Sequence, residues 1–201
     1  MIENLDDLLL QVQKPARYIG GELNSVTKNR DEVAVRFAFC FPDLYEVGMS
    51  HLGMKILYAQ FNHEPDVWCE RVFAPDTDME ALMREHHIPL FGLESRDPIR
   101  EFDFIGFTLQ YEMCYTAVLH MLELAGVPVR SDERGDDMPL VVAGGPCTCN
   151  PEPLADFIDL FFLGEGEEVD LEVINLYKEY RKKGYSKKAF LRACADIEGV
   201  Y

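Results

Sequence analysis

Short runs that are apolar on both faces, separated by segments of helical spacing, constrain this chain more than any other feature. Val33, Val35, Phe37 and Phe39 alternate with Ala34, Arg36 and Ala38, and the run stops at Phe41-Pro42-Asp43, where proline removes a ladder donor. Further runs follow at Val67–Phe73, Phe104–Leu109, Leu140–Ala143 and Leu160–Leu163. Between them, Ser50–Phe61 reads as a helix through Leu52, Ile56, Leu57, Tyr58 and Phe61, with Ser50 as its N-cap. Asp76–His87 reads as a second helix and Tyr115–Ala125 as a third, stopped by Gly126 and Pro128; Glu168–Lys183 and Ser186–Ala195 close the chain. Strands buried on both faces and joined by helices predict an α/β fold. The expected architecture is three-layer and doubly wound, with a mostly parallel five-stranded sheet of Rossmann-like or flavodoxin-like order 2-1-3-4-5. Outside it lie a helix at Leu5–Val12, broken by Lys14-Pro15, and an edge strand expected at Glu22–Thr27. The domains expected are an N-terminal extension over 1–30, an α/β domain over 31–184 and a linker helix over 185–201.

The charge balance narrows the partners. Against 19 Lys and Arg stand 36 Asp and Glu, a formal net charge of −17. Such a surface repels phosphate backbones and anionic lipid, so neither nucleic acid nor a membrane surface is an expected partner. The first residues, MIENLDDLLL, lack a signal peptide's basic flank, and no apolar run approaches the roughly 20 residues of a membrane span. A cytoplasmic location is expected. The six cysteines, Cys40, Cys69, Cys114, Cys147, Cys149 and Cys194, include one close pair and no C-x-x-C, so reduced thiols and no metal site are expected.

In an open parallel sheet, ligands bind beyond the carboxyl ends of the strands. The unusual residues of this chain fall there. The first strand leads into Gly48, Ser50, His51 and Gly53, and the middle one into Thr108 and Leu109. The fourth leads into Gly144 and Gly145, and the fifth into Gly164, Glu165 and Gly166. Each glycine either makes a turn or admits a ligand close to the backbone. Four such ends at one edge suit a large flat ligand. A flavin-phosphate cradle needs hydroxyls after the first strand, where this chain offers Ser50 beside Pro42, Asp43 and Glu46. A phospho-acceptor receiver needs an aspartate where Thr108 stands.

Two stretches carry a resemblance: Lys14-Pro15-Ala16-Arg17-Tyr18-Ile19-Gly20-Gly21-Glu22 through Phe41–Ser50, and Val142–Pro146 paired with Leu163–Glu167. In these the chain resembles the N-terminal domain of cobalamin-binding-domain radical SAM proteins, nearest an uncharacterised bacterial branch. The resemblance implies a cobalamin-binding-type domain that positions a cofactor or substrate for a C-terminal radical SAM domain of the same protein. That partner would hold the [4Fe–4S] cluster and S-adenosylmethionine on a C-x-x-x-C-x-x-C motif, a spacing none of the six cysteines has. This chain is therefore expected to be the N-terminal piece of a radical SAM enzyme, without catalytic residues of its own. Cobalt-ligating relatives use D-x-H-x-x-G; here Met49 replaces the Asp and Met54 the final Gly, so cobalamin is expected without His51 as ligand. Thr108 and Leu109 match positions that line the nucleotide tail in such domains. The alternatives are a ligand-free Rossmann-like docking domain and a flavin- or nucleotide-binding module.

Other residues read as structural. His86 and His87 end a helix, His120 and Trp68 read as packed, and Glu165 and Glu167 read as caps of the next helix. The basic residues from Lys178 to Arg192, with the apolar stripe Phe190, Leu191 and Cys194, are expected to dock the linker helix on the absent domain, so that truncation after Gly184 costs little stability.

Overall fold

A computed structural model describes residues 5–201 of the chain. Five strands form one sheet: β1 (Val35–Phe41), β2 (Val67–Phe73), β3 (Phe104–Thr108), β4 (Leu140–Gly144) and β5 (Leu160–Phe161). Their order is β2-β1-β3-β4-β5 and every pairing among them is parallel. The helices are α1 (Leu5–Leu9), α2 (Tyr45–Gly48), α3 (Leu52–His63), α4 (Thr77–Glu85), α5 (Tyr115–Leu124), α6 (Gly166–Lys183) and α7 (Lys187–Cys194).

Alternation along the strands sorts the core into two layers. Ala38, Cys40, Ile105, Phe107, Val141 and Ala143 face one way and pack with α1, α4 and α5 through Leu9, Met79, Met83, Val118 and Met121. Phe37, Phe39, Phe104, Val142 and Phe162 face the other and pack with α3, α6 and α7 through Phe61, Val173, Ile174 and Phe190. This is the three-layer, doubly wound arrangement that the apolar runs predict.

Three local expectations are corrected. Residues 22–27 form no strand. The Val26 N–H donates to the Tyr58 hydroxyl and its carbonyl accepts from Trp68 Nε1, so side chains, not a ladder, satisfy this strap. Ser50 does not cap α3; its hydroxyl donates to the Glu46 carbonyl, while His51 Nδ1 accepts from the Met54 N–H and is the N-cap. Glu165 precedes α6 without a side-chain capping bond.

The 185–201 stretch is packed on this domain. Phe190 is fully enclosed, with its ring centroid 5.5 Å from Tyr177 and 5.7 Å from Tyr180. Lys187 Nζ sits 2.9 Å from Asp159 Oδ1, and that carboxylate also pairs with buried Arg134. Beyond α7, the chain runs antiparallel beside β5, with the Tyr201 N–H donating to the Phe161 carbonyl at 2.9 Å. Leu5, Leu8, Leu9, Val12 and Tyr18 of the N-terminal extension are likewise part of the core.

The buried arginines Arg36, Arg71 and Arg134 are paired with carboxylates. Arg36, on β1, meets Glu70 at 2.5 Å and Asp97 at 3.0 Å. Its guanidinium lies 3.9 Å from the Phe102 ring centroid and 5.1 Å from that of Trp68. Arg71 pairs with Glu94 and Glu22.

Candidate functional site

The strand ends of β1, β3, β4 and β5 and the first turns of α3 and α6 enclose a cavity of about 250 Å³. Its inner wall is aromatic: Phe37, Phe39, Phe61 and Phe162, with Leu57. Its rim is polar, formed by His51, Thr108, Gln110, Glu165 and Glu167, with Asp170 buried in the wall behind. No lysine or arginine lines it.

Two glycines on neighbouring strands shape the space, Gly106 by seating the Phe37 ring and Gly144 by leaving room open. Gly106 and Gly144 alternate with residues of the opposite core and so face α3 and α6. A Cβ at Gly106 would strike the Phe37 ring at 2.4 Å. A Cβ at Gly144 would meet nothing closer than Phe162 Cβ at 4.0 Å, so the missing side chain leaves open room beside Thr108, its register partner on β3. Gly145 serves a different end. It holds φ +100°, and a Cβ there would press on the Leu109 backbone at 2.9 Å. Only glycine allows that turn.

Of the residues singled out from the sequence, His51, Gly53, Thr108, Gly144, Gly145, Gly164, Glu165 and Gly166 line the cavity. Three do not. Gly48 is closed over by Phe73 and Phe41 and borders a separate cavity of about 590 Å³ beside Tyr58 and Arg71. Ser50 bonds its own helix turn. Leu109 is buried with the opposite core, its N–H donating to the Gly144 carbonyl at 2.8 Å. Thr108 accepts at Oγ1 from Gln110 Nε2 at 2.6 Å, which turns both side chains to the rim.

His51 spends its Nδ1 lone pair on the α3 cap. The neutral ring then carries its proton on Nε2, which is a donor and not a metal-binding lone pair. Elsewhere, His120 Nε2 lies 3.1 Å from Glu80, and His86 ends α4. The six thiols are free, and among the described residues no three His, Cys, Asp or Glu side chains gather as a metal site.

Asp170 was not anticipated. It is 7 % exposed and its Oδ1 is enclosed with no hydrogen-bond partner. Burial, with the nearby Glu167 charge, pushes its carboxyl up to about 8. The missing Cβ of Gly166 makes room for it, since an atom there would lie 2.9 Å from Asp170 Oδ2. The sequence did carry a signal. Asp170 stands at the first position of the stripe Asp170, Val173, Ile174, Tyr177, an acid on the buried face of α6.

A family described as radical SAM proteins, N-terminal, matches residues 53–201. The chain belongs to this family. α3 from Gly53 on, α4 to α7 and every strand but β1 fall within the radical SAM N-terminal match, which therefore takes in the cavity's walls from Gly53 onward. An uncharacterized protein of Methanocaldococcus jannaschii is 28% identical over 163 residues, covering 76% of this chain. This chain spans 31% of that relative's length. No solved structure matches.

Proposed function

We propose that this radical SAM N-terminal domain binds a cobalamin-type cofactor at the carboxyl edge of its sheet, without a protein histidine on the cobalt. It presents that cofactor to the radical SAM domain of the same protein. The observation that carries the reading is the cavity beside Gly144, at the edge where strand order reverses between β1 and β3.

The residues fit such a group in three ways. Gly144 and Gly164 leave the edge bare, since a Cβ at Gly164 would meet nothing within 4 Å. The aromatic wall accepts a small flat ring within about 250 Å³, while Thr108 and Gln110 supply hydrogen-bonding groups at the lip. The engaged Nδ1 of His51 agrees with the departure of this chain from D-x-H-x-x-G. Cobalamin, when bound, supplies cobalt–carbon chemistry. The residues here bind it, orient it and exclude water from its inner side, and the cluster and S-adenosylmethionine belong to the partner domain.

A flavin or nucleotide module fits less well. Such ligands bring phosphate to a helix N-terminus, and the first turn of α6 carries Glu167 and Glu168 with no cation among the lining residues. The ligand-free docking domain leaves both the cavity and the unpartnered carboxyl without a role.

Spectral titration of the purified domain with hydroxocobalamin and, separately, with FMN tests the reading. Saturable binding of the first and none of the second is expected. Binding of FMN alone, or of neither, overturns it.

A further inference from the structure

Arg71, on β2, is a buried cation whose two ends are held differently. Its Nε donates to Glu94 Oε1 at 2.6 Å and its backbone N–H to Glu94 Oε2 at 2.8 Å, so that carboxylate anchors the side chain from behind. The outer fork is half filled. Nη2 donates to Glu22 Oε2 at 2.6 Å, while the partner of Nη1 is the Met49 sulfur, at 3.4 Å. A thioether is a weak acceptor, and a guanidinium fork is matched best by a carboxylate that takes both arms at once. Glu22 does not do this, because its other oxygen accepts from the Tyr45 hydroxyl at 2.7 Å.

Arg71, Glu22 and Met49 all line the cavity of about 590 Å³ beside the strap, which is of the size that small-molecule pockets have. It shares no lining residue with the cavity beside Gly144. Met54 and the Tyr58 ring make its wall apolar, and Lys55 on α3 stands at its lip with no hydrogen-bond or ion-pair partner among the described residues. Leu23 also lines it, yet is 98% exposed, so an apolar guest would take this side chain out of water. Just before Glu22, Gly21 holds φ +81° with nothing within 4 Å of where a Cβ would lie, which leaves Glu22 room to turn outward.

We propose that this cavity is a second ligand site and that it takes an organic monocarboxylate with an apolar body. The ligand's carboxylate fills both arms of the Arg71 fork and displaces Glu22, a strap-borne carboxylate that stands in for it in the empty protein. Lys55 balances the charge at the lip. A cation would meet Arg71 and Lys55 there, and a neutral apolar molecule would leave the fork half filled. Met49 and Met54 adapt their unbranched side chains to the body of the guest. The inference is independent of whether the sheet edge holds cobalamin.

Calorimetric titration of the full chain with sodium octanoate tests the proposal, with 1-octanol and octylammonium as neutral and cationic probes of the same length. Octanoate should saturate one site, and the other two should bind about tenfold more weakly or less. Glu22→Gln is the telling variant. It removes the resident competitor at a half-buried position, so octanoate should bind about threefold or more tightly than to the parent. A residue that only shaped the cavity would weaken binding when changed. Ala59→Glu, at an exposed position of α3 on the cavity wall, should lose about tenfold by adding a like charge. Arg71→Gln should abolish binding, but it also strips Glu94 of its partner, so the two milder variants decide, with circular dichroism confirming that each is folded. Unchanged or weaker binding in Glu22→Gln, unchanged binding in Ala59→Glu, equal affinity for 1-octanol, or no saturable binding of octanoate by the folded chain overturns the site.

Discussion

The Lys187 ammonium, on the first residue of α7, reaches across the sheet's amino end to lie 2.9 Å from the Asp159 carboxylate. It also donates to the Arg134 carbonyl at 3.1 Å, while Asp159 accepts from the Val141 N–H at 2.8 Å. A cation at a helix start is ordinarily disfavoured by the dipole, and here a buried carboxylate explains it. Lys187 is therefore an internal group of this domain, and α7 is bound to the sheet by it and by Phe190.

Truncation after Gly184 should consequently unfold or strongly destabilise the domain, the opposite of what a linker helix would show. Phe190→Ala should cost about 3–5 kcal/mol. Lys187→Met should cost less, about 1–3 kcal/mol, because Arg134 still faces Asp159. Urea denaturation of the three variants measures this, and losses under about 0.5 kcal/mol would return α7 to the role of a detachable linker.

Asp170 should tilt the stability profile. Its unfolded carboxyl titrates near 3.9, while the folded one is pushed up to about 8. Between those values the folded state keeps a proton that the unfolded state has released, so this group's contribution is full below about pH 4 and is lost as pH rises through 8. Asp170→Asn should therefore gain on the parent as pH increases, by roughly 1–3 kcal/mol near pH 8. Denaturation midpoints of both proteins at pH 5 and pH 8 give the difference directly; a gap that narrows with pH contradicts the assignment.

Gly144→Leu should abolish hydroxocobalamin binding without unfolding the chain, since its side chain enters open space at ordinary strand geometry. Gly145→Trp is a poorer probe, because φ +100° and the Leu109 backbone make any side chain there a folding defect. His51→Asn keeps a capping acceptor for α3 and should leave the affinity within about threefold. Loss of binding in His51→Asn, with a histidine-ligated spectrum in the parent, would make His51 the cobalt ligand after all.

Anaerobic reconstitution with iron and sulfide should yield no stoichiometric cluster on this chain. A [4Fe–4S] site takes thiolates that converge, and Cys147 and Cys149 on the short turn Pro146–Cys149 supply two. Absorbance that disappears in Cys147→Ser would move the iron chemistry into this domain.

The sheet was legible because its signal is redundant: five apolar runs, four of them followed by a helix, admit few other packings. The element ends were less so, because side chains decided them. Tyr58 and Trp68, distant in sequence, claim the backbone of Val26, and the imidazole of His51 outcompetes the Ser50 hydroxyl for the start of α3. The site was half legible. Glycines at strand ends show in any reading of the chain, but Gly106 sits within a strand and Asp170 within a helix, and each becomes part of a wall only once alternation and the helical stripe are placed in space. The basic residues of the closing helices misled for the same reason. Lys178 meets Asp66 at 2.7 Å and Lys187 meets Asp159, pairs that no local pattern announces.

The single tryptophan gives this fold an optical handle with a restricted meaning. Trp68 is 3% exposed on β2, its indole N–H is tied to the Val26 carbonyl, and β2 contributes nothing to the cavity wall. Its emission should therefore be blue-shifted while the strap around Val26 is seated and move to the red when that strap lifts. Fluorescence at this residue is a gauge of how firmly the N-terminal strap holds the sheet's outer strand.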